Sequence, residues 1–122
     1  MEIVTSRGVV MERGTVWWAQ LPEPIASEPG FRRPIIIIQS NAFNRSRIRT
    51  VVAVVLTSNL RLADAPGNVL IPTSGSGLPK DSVANVSQII TLDRTFLTEM
   101  CGRIPSRIMK AVDDGIRLVL SL

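Results

Sequence analysis

Two short runs of unbroken apolar residues, Ile35–Ile38 and Val51–Leu56, constrain this chain most. Both are rich in β-branched side chains and bounded by polar or proline-bearing segments, so each reads as a strand buried on both faces. Arg33 to Gln39 is the expected extent of the first, with Pro34 at its start, where a missing N–H is tolerated. Neither run approaches the roughly 20 apolar residues needed to cross a bilayer.

Around these two strands the rest of the chain falls into place. Thr15–Leu21 (TVWWAQL) reads as a strand on its β-branched and aromatic content. Trp17 and Trp18 are adjacent there, so one should face the core and the other outward. A loop bearing Pro22, Pro24, Pro29 and Gly30 follows, of the kind that forms lids and binding loops. Asn41–Thr50 is a polar, arginine-rich loop, and Thr73–Pro79 a Ser/Gly loop. Further strands are expected at Asn68–Ile71, Ser82–Val83, Val86–Ile90 and Cys101–Ile104, with a short helical turn at Leu92–Leu97.

From Ser106, a fair N-cap, the period changes. Ile108, Met109, Val112, Ile116, Val119 and Leu120 form one apolar stripe of a helix, with Arg107, Lys110, Asp113, Asp114 and Arg117 on the other face. Gly115 inside that helix costs about 1 kcal/mol against alanine, which points to a close packing contact. Several short strands closed by one terminal helix predict a small half-open antiparallel barrel, mainly β with helices. At 122 residues the chain is one domain. Residues 11–122 should form it, with residues 1–10 a flexible N-terminal extension.

Composition narrows the chemistry. There is no histidine and no tyrosine, which removes histidine acid–base pairs, Ser-His-Asp triads, Cys-His dyads and most zinc sites. No cofactor or metal is expected. The single cysteine, Cys101, forbids an intrachain disulfide, fits a reducing compartment and reads as a buried small apolar residue. Of the 14 basic residues, twelve are arginine, and the net charge is +4. Arginine binds phosphate through a bidentate fork and stacks on bases, so an anionic partner is favoured. The first ten residues lack a signal-peptide pattern, and a cytoplasmic location is expected.

Four motifs stand in order along the chain: Gly14-Thr15-Val16-Trp17-Trp18, Ser27-Glu28-Pro29-Gly30-Phe31-Arg32-Arg33-Pro34, Val55-Leu56-Thr57-Ser58 and Ser87-Gln88-Ile89-Ile90-Thr91-Leu92-Asp93. Together they resemble the signature elements of the MazF/PemK toxins. That resemblance implies an SH3-like barrel, a homodimer and a metal-independent endoribonuclease of a toxin–antitoxin pair. It would cut single-stranded RNA, mostly mRNA, through the 2′-OH to a 2′,3′-cyclic phosphate and a 5′-OH. It also implies a cognate antitoxin, expected here to carry an acidic C-terminal segment. Ala26 stands where the family has glycine and Ser87 where it has a carboxylate, departures that bear on the lid and on RNA sequence preference.

By that resemblance Arg33 matches the catalytic arginine and Thr57 the catalytic threonine. The chemistry agrees: a guanidinium can donate to two phosphate oxygens at once and stabilise charge developing on a phosphorane. As a proton-abstracting base it is unsuited, because it keeps its proton above pH ~12. Ser58 is the alternative hydroxyl if the register shifts by one. Glu28 can accept the 2′-OH proton or pair with an arginine. Ser27 and Gln88 can contact base edges, and Arg32, one residue from Arg33, should face the opposite way and bind RNA more weakly. Arg45, Arg47 and Arg49 alternate, so in an extended chain they would form one basic rim for RNA or an acidic antitoxin. Gly75 and Gly77 make no phosphate loop, since no lysine-serine pair follows in the required spacing. The competing reading is a non-catalytic toxin resembling the gyrase-binding CcdB proteins.

Overall fold

The computed structural model describes residues 11–27 and 30–122; the expected extension at 1–10 lies outside them. Six strands, β1 (Thr15–Leu21), β2 (Phe31–Ile37), β3 (Thr50–Thr57), β4 (Val69–Ile71), β5 (Ser82–Asp93) and β6 (Leu97–Arg103), form one sheet. Its order is β4-β5-β3-β2-β1-β6, and every pairing is antiparallel. Short helical turns α1 (Asn41–Asn44) and α2 (Thr73–Ser76) interrupt the connections, and α3 (Ser106–Leu120) ends the chain. This is the expected half-open barrel with a terminal helix.

The continuous apolar runs are buried on both faces, as their composition requires. Ile35, Ile37, Val51, Ala53 and Val55 enter one core cluster with Trp17, Ala19 and Leu21. Ile36, Val54 and Leu56 point the other way, into a second cluster capped by Ile108, Met109 and Val112 of α3. Fully burying one such side chain is worth about 1.5–3 kcal/mol, so these two central strands form the rigid frame on which the rims are mounted. Trp17 is the inward tryptophan, with its Nε1–H donating to Thr15 Oγ1 at 2.9 Å. That bond satisfies the one polar group the ring carries into the core.

Gly115 sits directly on the turn at Gly67: a Cβ on Gly115 would collide with the Gly67 carbonyl oxygen. The close contact expected from its presence in a helix is therefore real, and it fixes α3 against the turn leading into β4. Arg13 ties the same part of α3 to the residue after β2, donating to Ile38 O at 2.8 Å and to Asp113 Oδ2 at 3.2 Å.

Several local expectations need correction. Pro105, not Ser106, is the N-cap of α3, and no side chain caps that end. Val119 and Leu120 are exposed, because the buried face of α3 stops at Gly115. The two strand pieces expected at 82–90 are one twelve-residue strand, since Asn85 stays paired, opposite Val55. Part of the Ser/Gly loop winds into α2. Strand β6 starts at Leu97, recruited by pairing with β1 despite a polar sequence. Cys101 is half-buried rather than buried, packed at the margin of the second cluster.

Candidate active site

Strand register places the two residues singled out for chemistry. Ile35 pairs with Val55 across β2 and β3. Continuing that antiparallel register by two residues brings Arg33 opposite Thr57, both on the face of Ile35 and Val55. The frame is buried and stiff up to Ile35 and Val55, and the next residues on that face project from it at the rim. Arg33 and Thr57 border one cleft of about 170 Å³ together with Ser27, Val55, Leu62, Asn85 and Gln88.

Arg33 is exposed, and its Nε donates to Gly30 O at 3.3 Å. Gly30 is held at the base of the proline loop so tightly that a Cβ would strike the Pro24 ring, 2.7 Å from Pro24 N and 2.8 Å from Pro22 O. The guanidinium is thus tethered by one nitrogen to a carbonyl in a closely packed part of that loop. Neither Nη has a hydrogen-bond partner among the described residues. That edge is the one suited to a bidentate phosphate contact.

Thr57 closes β3. Its Oγ1 accepts from Asn59 N–H at 3.1 Å, so the hydroxyl caps the turn as threonines at strand ends often do. The accepted bond orients the oxygen and leaves its own proton to donate into the cleft.

Gln88 reaches the cleft through a bulge. Val54 faces Ile89 but Val55 faces Asn85, so residues 86, 87 and 88 are extra on β5. Bulges of this kind re-aim side chains and cluster beside active sites. The Gln88 Nε2 donates to Ser27 O at 3.4 Å, tying the bulge to the proline loop. At Ala26 the loop takes φ +54°, in the left-handed region that glycine prefers. An alanine is thus carried here at the cost of strain.

The structure therefore gathers Arg33, Thr57, Ser27 and Gln88 into one site. Glu28 lies outside the described residues. Ser58 and Arg32 go elsewhere, lining a separate pocket of about 270 Å³ with Trp18, Pro34, Leu78 and Lys80, which Arg33 also borders. Arg32 stacks 4.0 Å over the centroid of Trp18 and pairs with Glu99 at 3.3 Å. Trp18 is not the outward-facing tryptophan expected from alternation but is half-buried, packed against the second core cluster with Arg32 over its ring, because both faces of this strand carry core. Arg45, Arg47 and Arg49 are exposed in the loop before β3, at the opposite end of that strand from Thr57. Eight strand steps, about 26 Å, separate Arg49 from it, so the three arginines do not share the cleft. Arg45 follows α1 as its C-cap, which replaces the extended conformation expected there. Near them, the carboxyl of Asp93 is held below its usual range by the Thr95 N–H and hydroxyl, and less strongly by Arg49.

Asn85 and Leu62 belong to the cleft but were not singled out by sequence. Asn85 did leave a signal: an amide in the middle of the β-branched stretch SVANV is disfavoured in a strand and has to be explained. Among the described residues no three cysteine or carboxylate side chains converge as metal ligands, and no helix is long and apolar enough to span a membrane.

Residues 12–120 match the family described as PemK-like, MazF-like toxin of type II toxin–antitoxin system. The chain belongs to that family. It is 47% identical over 114 residues to Endoribonuclease MazF2 of Mycobacterium bovis, covering 93% of this chain and 100% of the relative. To Endoribonuclease EndoA of Bacillus subtilis it is 32% identical, with 93% and 97% covered. A solved mycobacterial endoribonuclease in complex with its cognate antitoxin superposes with a TM-score of 0.76 at 26% identity, over 93% of this chain and 97% of that one.

Proposed function

We propose that residues 11–122 form the toxin of a toxin–antitoxin pair, an endoribonuclease that cleaves single-stranded RNA, chiefly mRNA, by using the substrate's own 2′-OH. The 2′ oxygen attacks the adjacent phosphorus, the bond from phosphorus to the 5′ oxygen breaks, and the products are a 2′,3′-cyclic phosphate and a 5′-OH. Arg33 donates both Nη groups to the non-bridging oxygens and stabilises the extra negative charge as it develops. Thr57 hydrogen-bonds a phosphoryl oxygen through its hydroxyl and keeps its proton, and the departing 5′ oxygen takes the proton it needs from solvent. Glu28, from its place in the sequence five residues before Arg33, takes the proton of the 2′-OH. The observation that carries this reading is the pairing of a tethered guanidinium, whose outer edge has no partner among the described residues, with an oriented hydroxyl at the rim of one cleft.

The relatives' names and the antitoxin complex support the same assignment. By the same likeness the protein works as a homodimer in the cytoplasm and is held in check by a cognate antitoxin with an acidic C-terminal segment. The exposed Arg45 and Arg47, which form no ion pair among the described residues, and Arg49 beside them add positive surface for RNA or for that segment. Incubation with long single-stranded RNA in EDTA tests the proposal: the RNA is expected to be shortened. Intact RNA, with the protein bound instead to gyrase, would move it to the non-catalytic class.

A further inference from the structure

The cleft contains an amide whose orientation is fixed by hydrogen bonding alone. Asn68 Nδ2 donates to the Leu62 carbonyl at 2.9 Å, and Asn68 Oδ1 accepts from the Val86 N–H at 3.0 Å. A carbonyl can only accept and an N–H can only donate, so Asn68 has one possible orientation. Its Nδ2 also points at Asn85, 3.3 Å from Oδ1. Asn85 must therefore offer its oxygen there, and the same oxygen accepts from Ser87 Oγ at 3.0 Å. With Oδ1 occupied twice, Asn85 has only its Nδ2 donors left, and these have no partner among the described residues.

Gln88 is set the opposite way. One N–H of its Nε2 donates to the Ser27 carbonyl, which fixes the amide's direction and leaves Oε1 as an acceptor beside the second N–H. The cleft beside Arg33 and Thr57 thus presents oriented donors at Asn85 and an acceptor at Gln88, and the apolar side chains of Val55 and Leu62 also line it. A phosphate offers acceptors only and would leave Gln88 Oε1 facing an anion. A nucleobase edge offers a donor beside an acceptor and a flat apolar face, which is how single-stranded RNA is read.

We propose that Asn85 is a specificity-determining residue, whose Nδ2 donates to an acceptor on the nucleobase flanking the scissile phosphate while Gln88 Oε1 accepts from the same edge. This rests on the endoribonuclease reading above. Asn68 and Ser87 are positioning residues that hold the Asn85 donor toward the cleft. Ser87, standing where the family carries a carboxylate, keeps the Asn85 oxygen engaged by donating to it, which an ionised carboxylate could not do.

The test is to cut a random-sequence RNA pool to low extent with the wild type, Asn85→Asp and Asn85→Ser, and to sequence the new ends. Asn85→Asp retains the oxygen that accepts from Asn68 and Ser87 and replaces only the donor. Asn85→Ser removes the donor without adding charge. Both variants should lower the base preference at one position flanking the cut on the order of tenfold, as expected for a lost base contact, with preferences elsewhere kept. Because the profile is normalised to the cuts made, a slower variant is still informative. An unchanged profile in both variants would overturn the assignment and leave Asn85 as a structural or phosphate-binding residue. Loss of all cutting by both, with circular dichroism unchanged, would also overturn it, because a specificity contact is not required for the chemistry. A wild type that leaves the pool uncut would instead overturn the endoribonuclease reading.

Discussion

Arg33 and Thr57 continue the register that pairs Ile35 with Val55, and both border one cleft. Two residues 24 apart in sequence, one inside β2 and one at the end of β3, are thereby presented from neighbouring strands whose buried parts cannot easily shift. Preorganisation of this kind is what electrostatic catalysis requires, since donors that must move during the reaction lose much of their advantage.

Arg33 and its neighbour Arg32 should differ sharply on mutation. Arg33→Lys is expected to lose on the order of 10²–10³ in cleavage rate, about as much as Arg33→Ala, because an ammonium cannot reproduce the two-pronged contact. Arg32 faces the other side, stacked on Trp18 and paired with Glu99. Arg32→Ala should therefore leave the cleavage step nearly intact, weaken RNA binding modestly and change Trp18 fluorescence. Cleavage time courses on folded variants decide it; collapse in Arg32→Ala with near-normal cutting by Arg33→Ala would reverse the assignment.

Gly115→Ala sets two effects against each other. Helix propensity favours alanine by about 1 kcal/mol, but the new Cβ would strike the Gly67 carbonyl. Overpacking a tight contact costs about 1–3 kcal/mol, so the variant should be less stable despite the better helix former. A denaturant titration giving a higher midpoint for Gly115→Ala would contradict the close packing of α3 on that turn.

Ala26→Gly should have the opposite effect. At φ +54° an alanine bears a penalty of about 1–2 kcal/mol that glycine avoids. Part of the gain is offset by the greater freedom of glycine in the unfolded chain, about 0.4–1 kcal/mol. The net expectation is a small rise in the thermal midpoint. A fall of several degrees would mean that the loop does not hold this conformation.

Cys101 should be a sluggish thiol. Burial raises its pKa above the ordinary cysteine value, with Glu99 adding to the shift. The pH profile of alkylation should thus have a midpoint above that of a free cysteine, since the thiolate is the reactive form. Because the shift is upward, the stability linked to this group is fully present below the unfolded-state pKa and is lost as pH rises through the folded one. An alkylation midpoint at or below that of a free thiol would contradict the packing described for Cys101.

Much of this architecture was legible in the sequence because it rests on local rules. Continuous isoleucines and valines read as doubly buried strands, Gly115 pointed to a close contact, and the motif order located Arg33 and Thr57. What escaped was non-local. The bulge at residues 86–88 exists because of the register between β3 and β5, which strand patterning alone does not reveal. Asn85 looked like a weak point between strand pieces and is instead a paired strand residue at the cleft. The alternation of Arg45, Arg47 and Arg49 looked like one face but is broken by the helical turn α1, whose side-chain cap is Ser40. Each miss is a case of tertiary pairing or capping overriding a short-range pattern.

The most direct measurement uses two oligonucleotides that differ by one atom. One is an all-ribose RNA spanning a mapped cleavage site; the other carries a single 2′-deoxy sugar on the 5′ side of the scissile phosphate. Both are incubated with the protein in EDTA. If the cleft formed by Arg33 and Thr57 works through the substrate's own 2′-OH, the first is cut to a cyclic phosphate and a 5′-OH, and the second stays whole at that site. Cutting of both at the same site and similar rate would show that the nucleophile comes from elsewhere and would contradict the mechanism assigned to this pair.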